Sequence, residues 1–344
     1  GGDMHLVVLI LILCGAMLHA GTVEVYHCPM RGLHQRSHTY EWEMSTTQPF
    51  SEIFLSWSAT RPHQGVFSFD VSVRVFGEWS PYQLQAEWSG DAQRTYASKN
   101  NLLRITNNCS RVVAISPSTA FRIRVQAHDG ASLSSIYMLH VATVHGVMRT
   151  CTDIPQHLGS HVIANVPLQS QMVLDHPRVR SLCSPTSMSI VIGYLAREGC
   201  AHKALCPHIG ALAVHVAELV RDMGCNGIYG SWILNTAQVY ELTGRRAMAW
   251  VQRLNSIEDL IDRLRLGIPI IVSVCGAIEG APQEYKSGHL MVVIGWDATS
   301  NSIICVDPAA AESDQTLRYY PVHSFCRAWA ARQNLCYIFE RGAY

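Results

Sequence analysis

Ser181-Leu182-Cys183-Ser184-Pro185-Thr186-Ser187-Met188-Ser189-Ile190-Val191-Ile192-Gly193-Tyr194-Leu195 is the stretch around which the second half of the chain is organised. Its spacing predicts a buried helix with a cysteine at its mouth. Pro185 fits the first turn, where a missing N–H costs nothing. Ser184, Thr186 and Ser187 offer hydroxyls to the orphan N–H groups of that end. Met188, Val191, Ile192 and Leu195 recur at helical spacing and form a strip that faces a core. A thiol at a helix N-terminus feels the positive end of the dipole, which favours thiolate and hence nucleophilicity. Taken alone, Cys183 has a competing reading as an inert buried thiol or half of a disulfide. Residues far downstream decide between the two.

Beyond this helix, Ile209 to Met223 reads as an amphipathic helix, Tyr229 to Ala237 as the start of another, and Ile257 to Leu266 as a helix ended by Gly267. Ile268–Val274, Leu290–Trp296 and Ile303–Asp307 read as strands. Helices first and antiparallel strands after is the α+β order. His289 opens the second of these strands and Asp307 closes the third. A hairpin through the turn Asp297–Ser302 brings Asp307 back alongside His289. A cysteine nucleophile, a histidine base and a carboxylate that orients the imidazole are what thiol catalysis needs. An oxyanion donor is also required, and Gln171 or Gln169 offers a side-chain amide beside the backbone N–H of Cys183. A histidine at a strand start is ordinary on a surface, and Asp-Pro is a common strand end. The specificity lies in the combination and its order: Gln171, Cys183, His289, Asp307.

Outward from this region, 344 residues suit two domains. Hydrophobic residues make up 48% and charged residues 15%, the balance of a folded chain. A formal net charge of zero gives no global attraction for nucleic acid or an anionic membrane. Residues 1–20 read as a signal peptide, with the apolar run Leu6–Leu13 and cleavage after Ala20. Lipidation at Cys14 and a retained N-terminal anchor are the rival readings, and bulky Leu13 argues against the first. All three export the chain to the periplasm, the cell surface or the medium. Twelve cysteines fit that compartment, the closest pairs being Cys200 with Cys206 or Cys225, and Cys326 with Cys336.

Residues 21–148 read as an antiparallel β-sandwich domain, 149–165 as a linker and 166–344 as the catalytic domain. Gly21 to Gln48 reads as an irregular lead-in. Phe67–Val75 and Phe121–Ala127 alternate with period two, and Val112–Ile115 and Ile136–Val144 are further short strands. Trp57, Trp79, Tyr82 and Trp88 are expected in the core or at its rim, a sugar-stacking platform being the alternative. Asn108-Cys109-Ser110 matches a glycosylation sequon. The run Cys200 to His208 matches no common zinc spacing, and a clipped loop is the expectation there. No metal and no cofactor are expected.

The second domain resembles the papain-like cysteine peptidases related to bacteriocin double-glycine leader peptidases, the peptidase C39-like family, in a stand-alone exported form. The resemblance is carried by Ser170-Gln171-Met172, Cys183-Ser184-Pro185-Thr186-Ser187, Trp232 with Asn235-Thr236-Ala237, Gly267-Ile268-Pro269, Gly288-His289-Leu290 and Val306-Asp307-Pro308-Ala309-Ala310. Phe325, Trp329 and Tyr337-Ile338 also fit, and Ser56-Trp57-Ser58-Ala59-Thr60 extends the likeness into the first domain. Ser184 departs from it, standing where many relatives have Gly. The resemblance implies an α+β papain-like cysteine peptidase domain preceded by an antiparallel β-sandwich domain. It implies Cys183 as nucleophile, His289 as base, Asp307 as orienting acid and Gln171 as oxyanion donor. The substrate expected is a peptide or protein. Two rivals stay open: a cell-wall peptide amidase or endopeptidase whose first domain binds wall or glycan, and a non-catalytic binding or adhesion protein on a peptidase scaffold.

Overall fold

The computed structural model describes residues 21–30, 38–101, 104–108, 110–148, 153–197 and 208–342. The readings placed on residues 1–20, Cys109, Cys151, Cys200 and Cys206 lie outside these. The described chain is α+β, with two antiparallel sheets and few helices.

The first sheet holds β1 (Thr22–Pro29), β2 (Thr39–Ala59), β3 (Val66–Val75), β4 (Glu78–Trp79), β5 (Gln83–Ser89), β6 (Gln93–Thr95), β7 (Ala97–Asn100), β8 (Ile105–Asn108), β9 (Val112–His128) and β10 (Ile136–His145). Its main path runs β1-β10-β2-β9-β3-β5-β6. It is one continuous sheet with long strands. The expected pieces Val112–Ile115 and Phe121–Ala127 are a single strand, β9, whose register shifts against β2 and β3 around Pro117. A proline has no N–H for the ladder, so a bulge is where a strand accommodates one. The Trp57 ring of β2 stacks on Phe69 of β3 at 4.0 Å.

The irregular lead-in is corrected by the structure. Thr22–Pro29 is a strand paired with β10 along its whole length, and β2 begins at Thr39. β1 is an edge strand, so most of its side chains meet solvent and no apolar alternation marks it. The aromatic cluster divides. Trp57 and Trp88 are fully buried core. The faces of Trp79 and Tyr82 are covered by Arg122 and Arg124, whose guanidinium carbons lie 4.1 and 4.0 Å from the respective ring centres.

The second sheet runs β12-β17-β13-β14-β15-β16, with β11 on β14. Its strands are β11 (Ser160–Val162), β12 (Ala247–Arg253), β13 (Ile270–Gly276), β14 (Tyr285–Asp297), β15 (Ser302–Val306), β16 (Leu317–Pro321) and β17 (Leu335–Arg341). The helices are α1 (Cys183–Arg197), α2 (Ile209–Val220), α3 (Trp232–Thr236), α4 (Val239–Leu242), α5 (Ile257–Leu264) and α6 (Val322–Ala330). β11 comes from the stretch read as linker. α5 is capped by Ser256, whose hydroxyl accepts from Asp259 N at 3.2 Å. Cys326 and Cys336, close in sequence, are not bridged to each other: Cys336 is a free, buried thiol in β17, whereas Cys326 is disulfide-bonded. Among the described residues no helix is long and apolar enough to cross a membrane.

Polar bonds join the two sheets. Buried Asp222, after α2, accepts from Thr95 N of β6 at 2.9 Å and from the Ser231 hydroxyl just before α3. A Cβ at Gly224 would sit 2.0 Å from the Thr95 carbonyl oxygen, so only glycine admits this approach. Glu52 of β2 accepts from Arg253 of β12 through both oxygens, at 2.5 and 2.9 Å, and from Arg111. Arg253 is 2% exposed. Replacing Glu52 by Ala leaves that guanidinium buried without its carboxylate, so we expect a loss of about 3–5 kcal/mol in urea unfolding. Glu52→Gln, which keeps an acceptor, is expected to lose less.

Candidate active site

Cys183 is the first residue of α1 and is half-buried. The helix is held on the sheet by its own hydroxyls. Ser187 Oγ donates to Leu290 O at 3.1 Å, and Ser184 Oγ bonds the Tyr337 hydroxyl at 3.0 Å. These serines were expected as caps. The structure places both fully buried, Ser187 fixing the helix to β14, the strand that carries His289, and Ser184 fixing it to β17. Pro185 lies in the first turn, as its spacing requires.

His289 sits in β14 opposite Val274 of β13, and Asp307 follows the last residue of β15. The pairing of β14 with β15 closes the distance expected from the hairpin. His289 Nε2 and Asp307 Oδ1 are 2.8 Å apart. Nδ1 is then the ring nitrogen left for Cys183, which lines the same cleft as His289.

Asp307 is fully buried and accepts four hydrogen bonds. Oδ1 takes His289 and the backbone N–H of Ala309 at 2.9 Å, and Oδ2 takes the hydroxyls of Tyr285 and of Tyr320, the latter at 2.6 Å. A carboxylate so occupied is acceptor-only and ionised. Burial alone would raise its pKa, but the charge and hydrogen bond of His289, with the two tyrosines, hold it down at about 2. Burial would likewise push His289 down. The Asp307 charge and hydrogen bond, with Cys183, overcome this and hold the imidazole up at about 10. For Cys183, burial raises the thiol pKa. The bond to His289 and its charge, with the backbone of Leu290 and Ser184, outweigh burial and lower it. All of these shifts favour a thiolate–imidazolium pair.

Tyr285 and Tyr320 were not foreseen. Tyr285 lies four residues before His289 in the same strand, hence on the same face. Its ring stacks on the imidazole at 4.1 Å and 10°. That spacing was visible in the sequence. Tyr320 reaches Asp307 from β16, which the sequence did not mark.

Gln171 is buried, with Nε2 donating to Val179 O at 2.7 Å and its backbone N–H to Pro308 O at 2.8 Å. It ties the turn leading to Cys183 to the turn after Asp307. The amide oxygen meets no donor among the described residues. Gln169, the other amide considered, donates to Ser170 O at 2.9 Å.

A cleft of about 260 Å³ opens over Cys183 and His289. Tyr229, Gly230, Trp232, Ser287, Gly288 and Arg332 are among the residues that line it. A larger cleft of about 470 Å³ between β1 and α5 is lined, among the described residues, by neither cysteine nor histidine. Among the described residues no group of three or more His, Cys, Asp or Glu side chains is placed to hold a metal ion.

A model of the peptidase C39-like family matches residues 163–337, a span that contains Gln171, Cys183, His289 and Asp307. The chain belongs to the peptidase C39-like family. Comparison with curated proteins gives no match. The family match begins one residue after β11, so the first sheet lies outside it.

Proposed function

We propose that this C39-like chain is an exported cysteine peptidase with a papain-like catalytic domain, cutting peptide bonds through Cys183. The observation that carries the reading is that Cys183 and His289 share one cleft and that His289 is bonded to the four-bonded Asp307 carboxylate behind it. A cysteine at a helix N-terminus facing a histidine on a strand, with a carboxylate on the next strand, is the papain-like layout. The apolar run Leu6–Leu13 supports export. The first domain is read as a sandwich made by one sheet folded on itself, supported by the Trp57–Phe69 stack.

In the reaction, the Cys183 thiolate attacks the carbonyl carbon of the bound peptide, and electrons move onto the carbonyl oxygen. The His289 imidazolium gives its Nδ1 proton to the leaving amine, and a thioester to Cys183 remains. Neutral His289 then takes a proton from water, whose hydroxide attacks the thioester and frees the acid. Asp307 stays ionised throughout and holds Nε2, so that Nδ1 keeps facing the sulfur. The orphan N–H of Cys183, with a Gln171 amide N–H, is assigned to the developing oxyanion.

Replacing Gln171 by Ala tests that last assignment. The expected result is a fall of about 10²–10³-fold in kcat with little change in KM. A rise in KM alone would assign Gln171 to the turn it bonds and not to the oxyanion. The wider reading is tested by screening a peptide pool for cleavage by the wild type and by Cys183→Ala. Products that form equally with both would overturn it.

A further inference from the structure

We propose that Arg332 and Arg178 make this cleft select peptides that carry a carboxylate beside the bond to be cut. The inference rests on the reading of the chain as a cysteine peptidase and names its substrate class. Arg178 and Arg332 line the cleft together with Cys183 and His289, and among the described residues no Asp or Glu lines it. Asp307 is shut behind His289 at 0% exposure, with its oxygens already occupied. The wall a substrate meets therefore carries positive charge with no compensating carboxylate.

Arg332 is held for this role. It stands in the turn after α6, and its carbonyl oxygen accepts from Arg253 Nη1 at 2.7 Å. Its guanidinium lies against Gly288, the neighbour of His289: a Cβ there would be 2.3 Å from Nη2 and 3.1 Å from Nε. Nη2 donates to Ser287 O at 2.9 Å. Nε is buried and meets no acceptor among the described residues. Arg332 is half-buried at the cleft wall, so a carboxylate bound there gains a charge-assisted partner that no acidic residue among the described residues occupies. Arg178 is exposed, bonded to Gly227 O at 3.3 Å and laid over Tyr229. None of the ion pairs among the described residues uses Arg178 or Arg332.

The carboxylate has two sources in a peptide, an Asp or Glu side chain and the C-terminus. A random peptide pool, made with free and with amidated C-termini, separates them. It is passed over immobilised full-length Cys183→Ala protein, and the retained peptides are read by mass spectrometry. The expected result is about fivefold enrichment of acidic residues, or of free C-termini, that disappears when Arg332→Ala is added and partly persists with Arg332→Lys. No enrichment of either kind, or an enrichment that survives in the Arg178→Ala, Arg332→Ala double variant, would overturn the proposal. Alkylation of Cys183 keeps this apart from the peptidase reading. The ratio of iodoacetate to iodoacetamide rates is expected to fall about fivefold in Arg332→Ala. A ratio that does not move, with Cys183 still labelled quickly by iodoacetamide, removes the carboxylate preference alone. Failure of both reagents to label Cys183 removes the nucleophile.

Discussion

Cys183→Ala is expected to lose peptide-bond hydrolysis by a factor on the order of 10⁵ or more in kcat, while leaving peptide binding in place. The size follows from the role. Without the sulfur no thioester forms, and the rest of the site has only a loosely placed water to use. His289 and Asp307 remain, but they move protons for a nucleophile that is gone, so their contribution falls with it. Cys183→Ser keeps a nucleophilic atom of the wrong acidity. The lowered thiol pKa comes from a contact that a hydroxyl, far less acidic, does not exploit at neutral pH. The serine variant is therefore expected to resemble the alanine variant. Cleavage is followed by mass spectrometry on any peptide the wild type cuts. The fold is checked by urea unfolding, whose free energy neither change is expected to move by more than about 1 kcal/mol.

Asp307→Ala is expected to cost about 10³–10⁴-fold in kcat and about 3–5 kcal/mol in stability. Removing the carboxylate strips four donors of their acceptor at once: His289, Tyr285, Tyr320 and the N–H of Ala309. Asp307→Asn separates charge from geometry. It keeps an acceptor for His289 but removes the charge that raises the imidazole to about 10. In this variant the alkaline limb of the kcat–pH profile is expected to move to lower pH, with a smaller loss of stability. The same pair sets a pH dependence of folding. His289 is raised from 6.5 to about 10, so its contribution is full below pH 6.5 and is lost as pH rises through about 10. Asp307 is lowered from 3.8 to about 2, so its contribution is full above pH 3.8 and is lost as pH falls through about 2. Both describe one interaction, counted once, and it is complete between pH 3.8 and 6.5. Urea midpoints from about pH 2 to about pH 10, compared between wild type and Asp307→Asn, check both limbs.

What the sequence revealed and what it hid follow from how each signal arises. The Cys183 helix and the strands β13, β14 and β15 were legible because they are apolar runs with sharp ends at Gly267, Asp297 and Pro308. Their hairpin order alone brought His289 and Asp307 together. β12 was not read as a strand although all its residues are buried. It contains Trp250, Gln252 and Arg253, which are buried because they find polar partners, among them Glu52 about two hundred positions away. No local pattern announces such a partner. β1 was missed for the opposite reason, being an edge strand held mostly by backbone bonds. Ser184 and Ser187 were given to the helix end by a sound local rule. The nearby sheet offered their hydroxyls other partners, and the tertiary contact prevailed. Gly288 was noted only as the neighbour of His289. Its positive φ of 94° and the guanidinium against it could be known only from the fold.

The most direct test of the thiolate–imidazolium pair is the pH dependence of iodoacetamide alkylation at Cys183, read by peptide mass spectrometry in wild type and His289→Ala. The expected result is fast labelling of the wild type already at pH 6, where an ordinary thiol is almost wholly protonated, and a collapse of that low-pH labelling in the variant. Slow labelling at pH 6 in both proteins, rising only near the ordinary thiol pKa, would contradict the account.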